Sequence, residues 1–151
     1  MRAIIQRTNT RASVTANNSV SGEIDKGLIV YLGIEEEDSH EDINWLSRKI
    51  VNMRIFSDNE GKMNMSLLDI NGSLLVISQF TLYASTKKGN RPSFIRSARP
   101  PFADHMYKSF CEHIREEYNI NVAEGVFGAD MKVSYVNDGP VSIFIDTKNK
   151  E

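Results

Sequence analysis

Leu74-Leu75-Val76-Ile77-Ser78-Gln79-Phe80-Thr81-Leu82-Tyr83-Ala84 decides how this chain reads. Four apolar, strand-forming residues run straight into polar, hydrogen-bonding ones. Polar groups set against a buried strand need partners or a purpose, because burying them unpaired is costly. Asn71-Gly72 just upstream is a strong turn signal and predicts a strand over 73–80. A second run, Asn137-Asp138-Gly139-Pro140-Val141-Ser142, places a glycine and a proline between two strands. Backbone carbonyls can be left pointing outward there.

Outward from these runs, the pattern predicts strands at 2–8, 12–16, 20–24 and 27–34. Asn17-Asn18-Ser19 reads as a hairpin link and Asp25-Lys26-Gly27 as a turn. Ser39 with Asp42 three residues on forms a capping-box pattern, so a helix follows to about Met53. Its apolar residues Ile43, Leu46, Ile50 and Met53 share one face. Asp58-Asn59-Glu60-Gly61-Lys62 is a loop. A second helix begins near Pro101, with Phe102, Met106, Phe110 and Ile114 at four-residue steps. Proline suits the first turn of a helix. Strands at 120–127, 131–137 and 141–146 close the chain. Residues 85–101, with Pro92, Pro100 and Pro101, form a loop longer than the dozen or so residues beyond which loops are usually functional or disordered.

Mostly strands, short links and two helices predict one α+β domain over 1–151, with a largely antiparallel, barrel-like sheet flanked by the helices. No GxGxxG or P-loop pattern is present, so this is not a βαβ nucleotide fold. The 151 residues suit one core, and 40% hydrophobic with 25% charged residues is ordinary for a globular protein. No apolar run approaches the ~20 residues that span a bilayer, and the N-terminus turns polar too early for a signal peptide. The single cysteine, Cys111, permits no intrachain disulfide and no thiolate metal cluster, and a cytoplasmic location is the default expectation.

A net charge of −2 argues weakly against a nucleic-acid partner, but its distribution argues for one. Between Ile70 and Ala103 there is no Asp or Glu, whereas Lys87, Lys88, Arg91, Arg96 and Arg99 all fall there. Such a patch is either a phosphate footprint or a solvated basic loop. The usual catalytic sets are poor. His40 sits at a helix start, and His105 and His113 share a broad sector of the second helix without a third ligand. Cys111 reads as core. Glu35-Glu36-Glu37-Asp38 reads as a solvated loop, too compact for a metal site.

The two motifs remain, and with them the chain resembles the D-aminoacyl-tRNA deacylase family. The likeness runs from Met1-Arg2-Ala3-Ile4-Ile5-Gln6-Arg7 to the last strand. It is most specific at Ser78-Gln79-Phe80-Thr81-Leu82 and Asn137-Asp138-Gly139-Pro140-Val141, with Lys88-Gly89-Asn90-Arg91-Pro92-Ser93-Phe94 similar to the family's active-site loop. Ser142 stands where threonine is usual, and both carry a hydroxyl.

The resemblance implies hydrolysis of the ester joining a D-amino acid to the 3′-terminal ribose of tRNA. It implies no metal and no cofactor. Ser78, Gln79, Phe80 and Thr81 are the candidate catalytic residues. Backbone amides near Phe80 and Thr81 can stabilise an oxyanion, each such donor being worth ~10²–10³ in rate. Thr81 can be nucleophile, water-positioning group or strand-end hydrogen bonder. No base is evident beside it, which favours positioning. Asn137, Asp138, Gly139 and Pro140 are the candidate chirality element. The Gly139–Pro140 bond is expected to be cis and to reach into the partner subunit of a homodimer whose active sites lie at the interface. Glycine has no side chain to reject, so Gly-tRNA is a side substrate. Lys87, Lys88, Arg91, Arg96 and Arg99 are the candidate tRNA-binding residues. Two rivals stand: an editing domain removing an L-amino acid from tRNA, which needs synthetase modules this chain lacks, and an RNA-binding barrel without turnover.

Overall fold

The structure, a computed structural model, describes residues 1–150. In chain order the elements are β1 (Arg2–Thr8), β2 (Ala12–Ala16), β3 (Ser19–Ile24), β4 (Gly27–Gly33), α1 (His40–Asn52), β5 (Phe56–Ser57), β6 (Met63–Met65), β7 (Ser73–Ser78), a 3₁₀ turn (Phe80–Tyr83), α2 (Phe102–Tyr118), β8 (Val122–Glu124), β9 (Met131–Ser134) and β10 (Ser142–Asp146). Five strands form one sheet in the order β10-β1-β4-β7-β8, and three form another in the order β3-β2-β9. β5 and β6 make a small separate hairpin.

Alternation along the central strands builds three layers. Leu28, Val30 and Leu32 of β4, with Leu74 and Val76 of β7, face the helices and pack on Ile43, Leu46 and Ile50 of α1 and Met106, Phe110 and Ile114 of α2. Their neighbours Ile29, Leu75 and Ile77 face the other way, onto Ala12, Val14 and Ile24 of the second sheet. Successive strand side chains point to opposite faces, so a run with both faces covered must be apolar throughout, as 74–77 is. Cys111 is fully buried in the helix-side core.

Asn17 and Asn18 both take positive φ (52° and 62°) in the β2–β3 hairpin, the turn that asparagine tolerates. At α1, the Ser39 N–H donates to the Asp42 carboxylate at 2.9 Å, fixing the start as the spacing predicts. α2 ends at Asn119 in the left-handed conformation (φ 53°).

The structure refines several of these expectations. Antiparallel pairing predominates, yet β4–β7 and β7–β8 are parallel. The chain crosses over between these strands through α1 and α2, as parallel neighbours require. Among the described residues no ring of paired strands closes, so β10 and β8 stay as edges of the large sheet. The strand expected over 73–80 leaves the sheet after Ser78. The Gln79 N–H still donates to the Leu32 carbonyl (2.8 Å), but β4 ends at Gly33 and offers nothing further to pair with. The freed segment coils into the 3₁₀ turn. The expected strands at 120–127 and 131–137 are also shorter, and the loop 58–62 is the tip of the unforeseen β5–β6 hairpin.

Candidate active site

The polar end of β7 opens into a pocket of about 740 Å³. Leu32, Ile34, Ile77 and Phe94 contribute apolar lining, Ser78 and Gln79 polar groups, and Phe80 stands at the same wall. Segments 94–100 and 127–131 complete it. The volume and the mix of apolar wall with a few polar groups suit a small organic ligand. It lies beyond the carboxyl ends of the parallel strands β4 and β7, a common place for a site in such sheets.

Gly33 makes the 3₁₀ turn possible. A Cβ at this position would lie 3.1 Å from the Gln79 carbonyl oxygen and 3.0 Å from the Leu82 Cβ. The turn can therefore fold back over β4 only because residue 33 has no side chain. Phe80 and Thr81 are its first two residues, so their N–H groups have no acceptor within it. Phe80 is 56% exposed, and its ring meets Phe94 edge-on at 5.0 Å. The Gln79 side-chain amide donates to the Thr81 hydroxyl at 2.6 Å. None of the three histidines lines the pocket. Among the described residues, no three His, Cys, Asp or Glu side chains are gathered so as to hold a metal.

Asn137, Asp138, Gly139 and Pro140 lie elsewhere, in the β9–β10 connection, and the Gly139–Pro140 bond is cis. The connection is tied down. Asp138 N–H donates to the Arg7 carbonyl (2.9 Å), the Arg7 Nε donates to the Asp138 carbonyl (3.1 Å), and the two side chains form an ion pair at 3.2 Å. Asn9 donates to the Asp138 carboxylate, and Asn137 accepts the Val141 N–H at 3.0 Å. Ser142, at the position where threonine is usual, accepts hydrogen bonds from Asn137 (2.9 Å) and Gln6 (2.8 Å).

Register separates the two motifs. Asp138 sits at the level of Arg7, which pairs with Leu28, whereas Ser78 pairs with Leu32. Four residues along the strands amount to about 13 Å, and three strand spacings across amount to about 14 Å. No residue of 137–140 lines the 740 Å³ pocket.

The basic residues divide. Ser85 and Ser93 exchange backbone hydrogen bonds at 2.8 and 2.9 Å, so the loop between them is a pinched hairpin with Gly89 (φ +85°) near its tip. Lys87, Lys88 and Arg91 stand exposed on it and form no ion pair among the described residues, and they line a second, smaller hollow with Arg96. Arg96 is engaged: it pairs with Glu35 at 3.0 Å and lies 5.5 Å from the Tyr83 ring centre. Arg99 lines the main pocket, and its N–H donates to Glu36 at 3.1 Å.

Glu35-Glu36-Glu37-Asp38 is not the solvated loop expected. Glu35 and Asp38 are buried, at 7% and 6% exposure. Glu35 accepts from Tyr83 and Arg96. Burial raises the Asp38 carboxyl above the usual range, although the Met1 ammonium beside it works in the opposite direction. Sequence reading also missed Arg2, Arg7 and Tyr83 as site supports. Their partners lie 48 to 144 positions away, and nothing local marks them.

The structure is thus a mixed α+β domain with a ligand-sized, donor-edged pocket at a strand end. A family model described as D-Tyr-tRNA(Tyr) deacylase matches residues 4–146. Proteins named D-aminoacyl-tRNA deacylase from Flavobacterium psychrophilum and Bacteroides fragilis are 54% and 55% identical over 151 residues, covering all of both chains. A solved structure titled c-Myc DNA Unwinding Element Binding Protein superposes with a TM-score of 0.90 at 39% identity, over 97% of this chain and 98% of that one. Another, described as a probable eukaryotic D-amino acid tRNA deacylase, shares the fold, with a TM-score of 0.81 at 17% identity over 95% of this chain and 97% of that one. The chain belongs to the D-aminoacyl-tRNA deacylase family.

Proposed function

We propose that this protein hydrolyses the ester between a D-amino acid and the 3′-terminal ribose of tRNA, a proofreading step in translation, working in the cytoplasm. The observation that carries the reading is the Phe80–Tyr83 turn at the edge of a pocket large enough for an aminoacylated nucleoside: Phe80 lines that pocket, Thr81 follows it, and neither N–H has an acceptor within the turn. An activated ester needs little more than a placed water and a stabilised oxyanion. The amides of Phe80 and Thr81 receive the oxyanion. Thr81, hydrogen-bonded to Gln79, orients water or substrate.

A second copy completes the site. The Asn137–Pro140 turn lies too far from the pocket of its own chain to act there, so its carbonyls are offered to the partner's pocket in a homodimer. Held by Arg7 and Asn9, the turn is a stiff wall that binds the substrate amino group and leaves no room for an L side chain. Glycine passes this gate, so Gly-tRNA is a minor substrate. Lys87, Lys88, Arg91 and Arg99 meet the phosphates of the acceptor end, which positions tRNA without reading sequence. The two sheets make a barrel-like body open at its edges. Support for this comes from Gly22 of β3, where an added Cβ would lie 2.6 Å from the Glu124 carbonyl oxygen of β8.

The test is turnover of D-Tyr-tRNA and L-Tyr-tRNA side by side. The D ester is cleaved and the L ester spared. Cleavage of the L ester with the D ester spared would return the chain to L-editing, and salt-sensitive RNA binding without cleavage would make it a binding module.

A further inference from the structure

Two guanidinium groups bear on the buried ring of Tyr83, the last residue of the 3₁₀ turn. Arg2 lies 4.6 Å from its centre and Arg96 5.5 Å. The Tyr83 hydroxyl donates to Glu35 at 3.3 Å. Arg96 arrives from the basic loop, whereas Arg2 arrives from β1.

Arg2 does three things with one planar group. Its Nε donates to the Asp146 carboxylate at 2.8 Å. Its Nη1 donates to the Leu82 carbonyl at 3.0 Å. Its Cζ lies over the Tyr83 ring. Leu82 is inside the turn, and no helix follows to take its carbonyl. The start of the turn is held by the Gln79 N–H donating to the Leu32 carbonyl, and its end by the Ala84 N–H donating to the Thr81 carbonyl. Asp146 anchors the arrangement. Burial opposes its charge, yet the Lys148 N–H and the Arg2 guanidinium hold its pKa below the usual carboxylate range.

We infer that Arg2 is a positioning residue for the hydrolysis: bridging Asp146 and the Leu82 carbonyl, it sets the pitch of the turn that aims the Phe80 and Thr81 amides. Arg2 does not line the pocket, so its proposed action is through the turn. The inference rests on the oxyanion role given to that turn above. Lysine cannot replace it. An ammonium is a point charge and cannot donate to two acceptors along a fixed fork while stacking on a ring.

The test compares wild type, Arg2→Lys and Asp146→Asn as full chains on D-Tyr-tRNA, with kcat, KM and melting temperature measured for each. Arg2→Lys lowers kcat about tenfold to a hundredfold, as expected when reacting groups shift by a fraction of an ångström to an ångström. Its KM is unchanged, and it melts as a folded protein. Asp146→Asn keeps the fork but loosens its anchor, and loses less, in the same parameter. A wild-type kcat in Arg2→Lys, or a loss confined to KM, overturns the inference. If Arg2→Lys does not fold, Asp146→Asn decides alone, and an undiminished kcat there overturns it. A wild type that cleaves no D-Tyr-tRNA sinks the deacylase reading and the Arg2 role together, before any variant is compared.

Discussion

The side-chain amide of Gln79 and the hydroxyl of Thr81 are hydrogen-bonded at 2.6 Å, with Gln79 as donor. Thr81 therefore keeps its own proton to give. No histidine lines the pocket to take that proton, and a threonine needs such a base to attack. On the proposed mechanism the pair holds a water or a substrate oxygen and forms no acyl-enzyme.

Thr81→Val removes the hydroxyl and keeps the shape. Deacylation falls about 3- to 10-fold, the kinetic equivalent of the ~0.5–1.5 kcal/mol of one neutral hydrogen bond. Rapid-quench mass spectrometry of the wild type with D-Tyr-tRNA shows no acylated Thr81. A trapped adduct, with complete loss in the variant, would restore the nucleophile role.

The distance between the 78–81 and 137–140 segments makes a mixing experiment decisive. Ser78→Trp blocks the pocket, which Ser78 lines. Gly139→Ala spoils the turn, because its φ of +126° suits glycine and a Cβ would lie 2.9 Å from Arg7 Nη2 and from Val141 Cγ2. Each variant alone is inactive. If the turn serves the partner's pocket, half of the randomly mixed dimers are hybrids, and each hybrid has one intact site. Refolding the two together then restores about a quarter of wild-type activity. No recovery would place both segments in one chain's site.

The basic loop lets the proposed tRNA-binding cations be told apart from Arg96, which pairs with Glu35. Lys87→Ala with Lys88→Ala weakens tRNA binding and makes the plot of log affinity against log salt shallower by about 1.5, as loss of two phosphate contacts requires. Arg96→Ala leaves that slope unchanged and lowers the melting temperature, because it strips the nearly buried Glu35 of its guanidinium. Filter binding across a salt series, with a thermal melt for each protein, checks both. An unchanged slope in the double lysine variant would make the loop a merely solvated one.

Asp42 sets the acid limb of stability. Burial pushes its pKa up, but the Thr147 hydroxyl (2.6 Å), Lys148 (2.9 Å) and the Ser39 N–H (2.9 Å) outweigh burial and hold it well below the usual range. A carboxylate with a lower pKa folded than unfolded stabilises the fold above its unfolded value of about 4, and that contribution is lost as pH falls toward the folded value. Asp38, raised by burial, has the opposite sign and weakens the trend. The melting temperature therefore declines below about pH 4. Asp42→Asn lowers it at pH 7, by the equivalent of ~1–3 kcal/mol for an impaired buried charged network, and flattens the acid limb. A wild-type melting temperature that rises on acidification would give Asp38 the larger role.

Much of the architecture was legible in residue order. Alternation and turn chemistry placed β1 to β4, and the Ser39–Asp42 cap with the Ile43, Leu46, Ile50 stripe placed α1. These signals are local: they act within a turn or two of the chain, where the sequence states them directly. The motif at 78–81 was legible as well, because polarity abutting an apolar strand is a local contradiction. The parallel pairing of β7 was not, since a doubly covered strand reads alike in either direction. Nor was the burial of Glu35 and Asp38, four acidic residues in a row being indistinguishable from a solvated loop until their cationic partners arrive from elsewhere.

Sequence by itself determined the family, the two motifs and the charge of the loop between them, because each is written in contiguous residues. Only the tertiary structure decided that these motifs stand at different levels of one sheet, that Arg96 braces the fold while Lys87 and Lys88 stay free, and that Arg2 grips the turn from the first strand. Those facts depend on register and on contacts between residues tens of positions apart. Such contacts exist only once burial of the shared core has brought the strands into line.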